Sequence, residues 1–374
     1  MNHPNLPVKP AGLLGAPTGA AWSYLTTDTG GNQTTDVGGK PKALRDSVMA
    51  EAIRRSQSGI VRGDDTLPAS KPGPGNGKQQ AVGQPAQIAR WDSWVKSDLV
   101  RTRLLCGVGF EDGQVFHRGD GKNMFAIFSA SKPVNILPSQ AEWVRRRARF
   151  REDRFAEIEV QADQLWPFWD AILHLDVRAA PRTHELLHAG LLFAASVVLQ
   201  IKHALAVPRP SEQSPFVMPI IEVPGHGSFP SGHATAAYLL SGLVTRLLGL
   251  SGTRKEVLQR LAYRVAYNRE VAGLHYPIDS AAGRLLGETL AAYVEALALG
   301  GNGNRMIAGA SFEAQSLTDA QGDELASDTQ DRPINKLSKA VTAAQPQALP
   351  QAEPLLAELW HLAHEELVSI GRLP

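Results

Sequence analysis

Two histidines stand seven apart in "HGSFPSGH", residues 226–233, with a Pro-Ser-Gly turn between them and the apolar run "ATAAYLLSGLVTRLLGL" directly behind. Pro230-Ser231-Gly232 opens a helix, and the first backbone N–H groups of a helix have no partner inside it. Those donors, the positive helix end and the Ser231 hydroxyl make a cradle for a tetrahedral oxyanion, and Gly232 permits close backbone approach. Standing alone, the block reads better as an N-cap serine followed by a surface histidine.

Two further blocks carry charge. In "KHALAVPRP" Lys202 lies near a helix end and Arg209 falls seven positions later, between two prolines that stop the helix and restrain the turn. Two cations can thus converge on one point, although basic residues at a helix C-terminus ordinarily just compensate its dipole. In "NREVAGLHYPIDSAAG" Arg269 closes one helix, Gly273 allows a turn and Pro277 starts the next helix. His275 and Asp279 are four apart, about one helical turn. The carboxylate can therefore take a hydrogen bond from one imidazole nitrogen and leave the other free and more basic. That suits an oriented nucleophile or metal ligand, and a purely structural His–Asp pair would have the same spacing.

Together the blocks hold three cations, a helix-start cradle, an orienting acid and two histidines, and the bland readings would have to hold for all of them at once. The order K-x6-R-P, P-S-G-H, R-x5-H-x3-D resembles the signature of the type 2 phosphatidic acid phosphatase and vanadium haloperoxidase superfamily, over about residues 183–298. One departure is Asn268, where many phosphatase members have Ser.

The resemblance implies that Lys202, Arg209 and Arg269 bind the equatorial oxygens of phosphate or vanadate, with Ser231 and Gly232 adding hydrogen bonds. It implies that His275 forms a phosphohistidine in a phosphatase, or is the vanadate ligand, the metal contact of this chain, in a haloperoxidase. His233 would be the acid and base, and Asp279 would orient His275. Fixed cations and dipoles are what transferring oxygens require. The cofactor is then vanadate in a haloperoxidase and none in a phosphatase. His226 resembles the histidine on the approach to P-S-G-H in haloperoxidase-related members, where a second imidazole could handle halide or peroxide protons. On that ground the first expectation is a vanadate-dependent haloperoxidase using peroxide and halide. The alternative is a soluble acid phosphatase-type enzyme acting on a phosphate monoester, and a third reading is a non-catalytic phosphate-binding scaffold.

The elements that must position these residues are helical. Helices are expected at about 184–203, 231–249 and 253–272, with a fourth from Pro277, giving a mostly α fold with a packed helical-bundle core. The chain divides into a Pro/Gly-rich arm (1–90), a helical and hairpin segment (91–180), the catalytic core (181–300), and a linker with a closing amphipathic helix (301–374). Within the arm "ALRDSVMAEAIRRSQ" reads as one short helix, and "GQVFHRGDGKNMFAIFS" reads as a hairpin about a Gly-Asp-Gly turn.

Composition narrows the partners. Lys+Arg 38 against Asp+Glu 37 leaves a formal charge of +1, so no global field draws nucleic acid or an anionic membrane. The Arg cluster in "VRRRARFREDRFAEIEV" has interleaved acids and reads as a solvated helix face, and the tryptophans of "LWPFWDAI" read as core. The single Cys106 excludes an internal disulfide and reads as a buried small residue. The apolar run 189–201 is shorter than the roughly 20 residues that span a bilayer, so no transmembrane segment is expected. Without a recognisable secretion signal at the start, the expected location is the cytoplasm. The partner is a small molecule, with a homo-oligomer left open.

Overall fold

The computed structural model describes Glu51, Arg55, and residues 84–119, 124–300, 306–314, 341–348 and 351–373. Two compact units divide the chain, one of residues 1–26 and 88–374 and the other of residues 27–87. Of the short arm helix only Glu51 and Arg55 are described, both helical. At the end of the expected 1–90 arm, Pro85–Arg90 form a 3-10 helix with Ile88 buried, and the rest of the arm, with most of the 301–350 linker, lies outside the described residues.

The larger unit is mostly helical. Helix α1 is Ser93–Cys106, α2 is Leu137–Arg147, α3 is Arg151–Asp163 and α4 is Trp166–Leu173. The core helices are α5 (Pro181–Leu205), the short α6 (Pro210–Gln213), α7 (Gly232–Leu247), α8 (Gly252–Val271) and α9 (Pro277–Leu299). Helix α10 (Pro354–Ser369) closes the chain. The expected starts and ends of the core helices are met within a few residues, because Pro181, Ser231 and Pro277 are strong local start signals.

Helix α7 is packed by α5, α8 and α9, while α1 and α10 lie against α5. The α7–α9 contact is close because α9 presents a glycine there: a Cβ at Gly283 would stand 2.6 Å from the Ser231 carbonyl oxygen. This brings the start of the P-S-G-H helix against the first turns of the helix that carries Asp279, and the Ser231 N–H donates to the Asp279 backbone oxygen at 3.0 Å.

The expected hairpin is present as β2 (Gln114–His117) antiparallel to β3 (Phe125–Ala130), with residues 120–123 of its turn outside those described. It belongs to a larger sheet than the sequence suggests. Strand β1 (Val108–Glu111) pairs with β2, while β5 (Ala310–Phe312) runs parallel to β3 and pairs with β6 (Val341–Ala343). Strands β4 (Met306–Ile307) and β7 (Gln347–Ala348) form a separate pair. The short strands escape a periodicity reading because two or three residues carry no resolvable alternation.

Several side chains refine the sequence picture. Trp166 and Trp169 are core residues, and the Trp169 indole donates to Ser241 Oγ at 3.1 Å. Arg145 and Arg146 pair with Glu142 on a solvated face, but Arg147 is buried, pairs with Glu270 and stacks on Tyr267. Cys106 is exposed, contrary to expectation, because the buried stripe of α1 runs through Val100 and Leu104 and leaves its last residue outside. The apolar run 189–201 sits within a longer helix. Residues Pro181–Gln213 are apolar and long enough to cross a membrane by length and composition, and 50% of the most apolar window is buried inside the fold.

Candidate active site

Helix α5 delivers Lys202 in its last turn and stops at Ala206, which adopts a left-handed conformation (φ 45°). The chain then runs extended through Arg209 (φ −72°, ψ 157°), whose N–H donates to Glu212 Oε2 at 2.6 Å in the first turn of α6. Both cations point inward and are 2% exposed. Lys202 Nζ donates to the backbone oxygens of Gly227 (2.6 Å) and Ser228 (2.7 Å), which leaves one of its three N–H bonds for a further acceptor.

Arg209 sits at the centre. Its Nε donates to the His226 backbone oxygen at 3.1 Å and its NH1 to the Leu274 oxygen at 2.9 Å. The same guanidinium reaches two imidazoles, NH1 to His275 Nε2 at 3.2 Å and NH2 to His226 Nδ1 at 3.1 Å. A guanidinium only donates, so His275 Nε2 is the acceptor of its neutral ring, while His226 Nδ1 lies between the Arg209 donor and the Gly227 backbone oxygen at 3.2 Å. His275 therefore carries its proton on Nδ1, which lies 2.9 Å from Asp279 Oδ2. Three donors converge on that one oxygen: His275 Nδ1–H, the Tyr276 N–H at 3.0 Å, and the Ser228 hydroxyl. Asp279 Oδ1 has no hydrogen-bond partner.

Arg269, at the end of α8, is wholly buried. Its NH2 donates to the Ile158 backbone oxygen at 2.8 Å, while Nε and NH1 are buried with no hydrogen-bond partner. Such donors inside a fold are costly unless something else accepts from them. Ser231 caps α7, its Oγ accepting from the Ala234 N–H at 3.3 Å, and Gly232 is the first residue of that helix. His233 Nε2 lies 3.1 Å from the Gln161 backbone oxygen, which fixes the proton of a neutral ring on Nε2 and leaves Nδ1 as its lone-pair nitrogen.

Burial and mutual repulsion set the protonation states. Burial pulls Arg209 and Arg269 down to about 10, and both remain charged at neutral pH. Burial, then the neighbouring Arg209, holds Lys202 well below the usual lysine value, with Asp279 acting the other way. Burial and then Arg209 hold His275 well below the ordinary histidine value, and burial and then Arg269 do the same to His233. His226 is lowered to about 4 by burial and by Lys202. Burial pushes Asp279 up to about 6, against the Ser228 hydrogen bond and the charge of Lys202. Among the buried side chains Lys202, Arg209 and Arg269 face a single carboxylate, Asp279, an imbalance that an anion would offset.

The geometry gathers Arg209 with His226 and His275, Lys202 with the 227–228 backbone, and Ser231 with Asp279. Arg269 and His233 are held by α3, through Ile158 and Gln161. Sequence reasoning overlooked those supporting groups. Gln161 carries no local signal, whereas Ser228 lies within "HGSFPSGH". Asn268 is bound from three sides: it donates to Glu157 (3.1 Å) and Gln161 Oε1 (2.9 Å) and accepts from Arg154 (3.0 Å). The donor set, with buried N–H groups of Arg269 left without protein acceptors, is chemically suited to an oxyanion such as phosphate or vanadate.

Comparison with known proteins agrees on where this chemistry lies. Residues 185–298 match the PAP2 superfamily. Over 132 residues, 34% of this chain and 71% of the relative, the sequence is 30% identical to decaprenylphosphoryl-5-phosphoribose phosphatase of Mycobacterium tuberculosis, in strains CDC 1551 / Oshkosh and ATCC 25618 / H37Rv alike. With the K-x6-R-P, P-S-G-H and R-x5-H-x3-D blocks meeting around Arg209, Asp279 and Arg269 inside that matched span, the chain belongs to the PAP2 superfamily.

Proposed function

We propose that this protein is a phosphatase that hydrolyses a phosphate monoester through a phosphohistidine on His275. The observation that carries the reading is the imposed tautomer of His275: Nδ1–H bonded to Asp279 at 2.9 Å and the Nε2 lone pair turned toward the Arg209 guanidinium. A nucleophile so oriented, beside cations that attract the ester, needs no further activation at neutral pH.

The phosphate would take its hydrogen bonds from Arg209, Lys202, the free Nε and NH1 of Arg269, the Ser231 hydroxyl and the first N–H groups of α7. Arg209 NH1 shifts its bond from Nε2 to a phosphate oxygen. The Nε2 lone pair then attacks phosphorus, an N–P bond forms, and the P–O bond to the leaving group breaks with its electron pair on oxygen. A proton carried in by the phosphate monoester monoanion passes to His233 Nδ1, the lone-pair nitrogen, and from there to that oxygen. Burial and the charge of Arg269 hold His233 neutral until then, and the negative phosphate raises its proton affinity as it arrives. In the second half, His233 takes a proton from water, the oxygen attacks phosphorus, and the N–P pair returns to His275 as phosphate leaves.

The mycobacterial relative is named a phosphatase, which supports ester hydrolysis above halide oxidation. Vanadate would be held by the same cations with His275 as ligand, and would there supply peroxide activation. His226, the residue that favours that chemistry in the sequence, has its Nδ1 taken up by Arg209 NH2 and the Gly227 oxygen. The test is hydrolysis of 4-nitrophenyl phosphate with acid-quenched trapping of radiolabelled phosphohistidine. Turnover and a trapped label in wild type, both lost in His275→Ala, are expected. Bromide oxidation by the vanadate-loaded protein without any ester hydrolysis would overturn the proposal.

A further inference from the structure

We propose that Ser228 is a positioning residue that holds the Asp279 carboxylate in place for His275 and couples that carboxylate to the anion-binding cations. The inference rests on the phosphohistidine reading above, but its geometry is independent of the substrate.

Ser228 is fully buried, and each of its polar atoms is committed to a different part of the site. Its N–H donates to the Val207 oxygen at 2.8 Å, two residues before Arg209. Its carbonyl accepts from Lys202 Nζ at 2.7 Å. Its hydroxyl donates to Asp279 Oδ2 and also lies 3.4 Å from His275 Nδ1. The residue thereby ties the segment carrying both α5-side cations to the acid that orients the nucleophile.

The hydroxyl matters because Asp279 has few anchors. Oδ1 is buried without a partner, so the carboxylate is fixed through Oδ2 alone. Of the three donors there, the Tyr276 N–H lies within the same turn as Asp279 and moves with it, and His275 is the ring to be oriented. Ser228 is the only one of the three from outside the 275–279 turn. Without its hydroxyl, the carboxylate can rotate toward a second acceptor geometry, and the His275 ring loses its reference. A group acting on a first ligand in this way typically contributes about 10–100-fold to activity.

The experiment compares wild type, Ser228→Ala, Ser228→Thr, Asp279→Asn and the Ser228→Ala/Asp279→Asn double variant, each checked for folding by thermal melt. Ser228→Ala should lower kcat on 4-nitrophenyl phosphate by about 10–100-fold with KM changed less than about 3-fold. The loss should vanish in the Asp279→Asn background, and Ser228→Thr, which keeps the hydroxyl, should recover most of the rate. In ¹⁵N-histidine NMR the hydrogen-bonded Nδ1–H of His275 should be seen in wild type and Ser228→Thr and weaken in Ser228→Ala. If Ser228→Ala does not fold, Ser228→Cys, with a far weaker donor, takes its place. An unchanged kcat and Nδ1–H signal, or an equal loss in the Asp279→Asn background, overturns the proposal. A wild type without phosphatase activity whose His275 signal still depends on Ser228 would sink the functional reading and leave this one standing.

Discussion

Arg209 holds His226 at two points, Nε on its backbone oxygen and NH2 on its ring Nδ1, both at 3.1 Å. The histidine therefore works on the cation. Changing His226 to Phe keeps a flat ring and the backbone grip but deletes the ring nitrogen that meets Arg209 NH2 and the Gly227 oxygen. The guanidinium should lose its fixed plane, and inhibition by inorganic phosphate should weaken by about 3–10-fold, the worth of one charge-assisted bond partly replaced. The kcat for ester hydrolysis should fall less than KM rises. Equal phosphate inhibition constants in wild type and variant would separate His226 from Arg209 function.

Arg269 is buried with two unpartnered nitrogens and one protein acceptor, the Ile158 oxygen. A charge held this way is a cost that the fold carries for its ligand. Arg269→Met, similar in length and apolar, should raise stability by about 1–2 kcal/mol in denaturant melts while lowering kcat/KM by about 10²-fold or more. A variant that is both less stable and still active would show that the guanidinium is structural.

What could be read from the sequence was local. Ser231, Pro277 and the 3.6-residue apolar period mark their helices without help from the rest of the chain, so the core helices and the spacing of His275 and Asp279 were visible. Contacts made from far away were not. The Ile158 oxygen that receives Arg269 and the Gln161 oxygen that receives His233 are backbone atoms of α3, 111 and 72 residues distant, and backbone oxygens have no sequence signature. Arg147 looked like its neighbours Arg145 and Arg146 because nothing nearby announces Glu270 or Tyr267. His226 and Arg209 each stand out in the sequence, but nothing local announces their pairing across 17 residues.

Asp279, raised to about 6 by burial, should set the acid limb of activity. Its folded value lies above the ordinary 3.8, so the folded protein takes up this proton before the unfolded chain does. As pH falls from about 6 toward 4, this group adds stability while the protonated acid ceases to receive His275 Nδ1–H, so rate falls as stability from this source rises. His226, lowered to about 4, acts oppositely, since the unfolded chain binds that proton first between about 6.5 and 4. The kcat/KM profile should therefore bend down below about pH 6, and Asp279→Asn should remove the bend while keeping anion binding. His275→Ala should be the more severe variant, leaving no trapped phosphoenzyme. A profile in Asp279→Asn that keeps the wild-type bend would assign the limb to another group.

The site also depends on a glycine that touches no ligand. A Cβ on Gly283 would stand 2.6 Å from the Ser231 oxygen and 2.9 Å from Ala234 Cβ, and neither a helix-start backbone nor a Cβ can yield cheaply. Gly283→Ala should push α9 away from the start of α7 at the turn where the Ser231 N–H meets the Asp279 oxygen. Overpacking of this kind costs about 1–3 kcal/mol of stability. Because the displaced groups frame both the oxyanion cradle and the orienting acid, phosphate affinity should fall in step, by about 3–10-fold. Gly225→Ala is the control, since a Cβ there meets nothing within 4 Å and the residue is exposed. Urea melts and phosphate inhibition constants for the two variants decide the matter. If Gly283→Ala is as stable as Gly225→Ala and binds phosphate as well, the α7–α9 contact has slack, and close packing there does not set the geometry of the site.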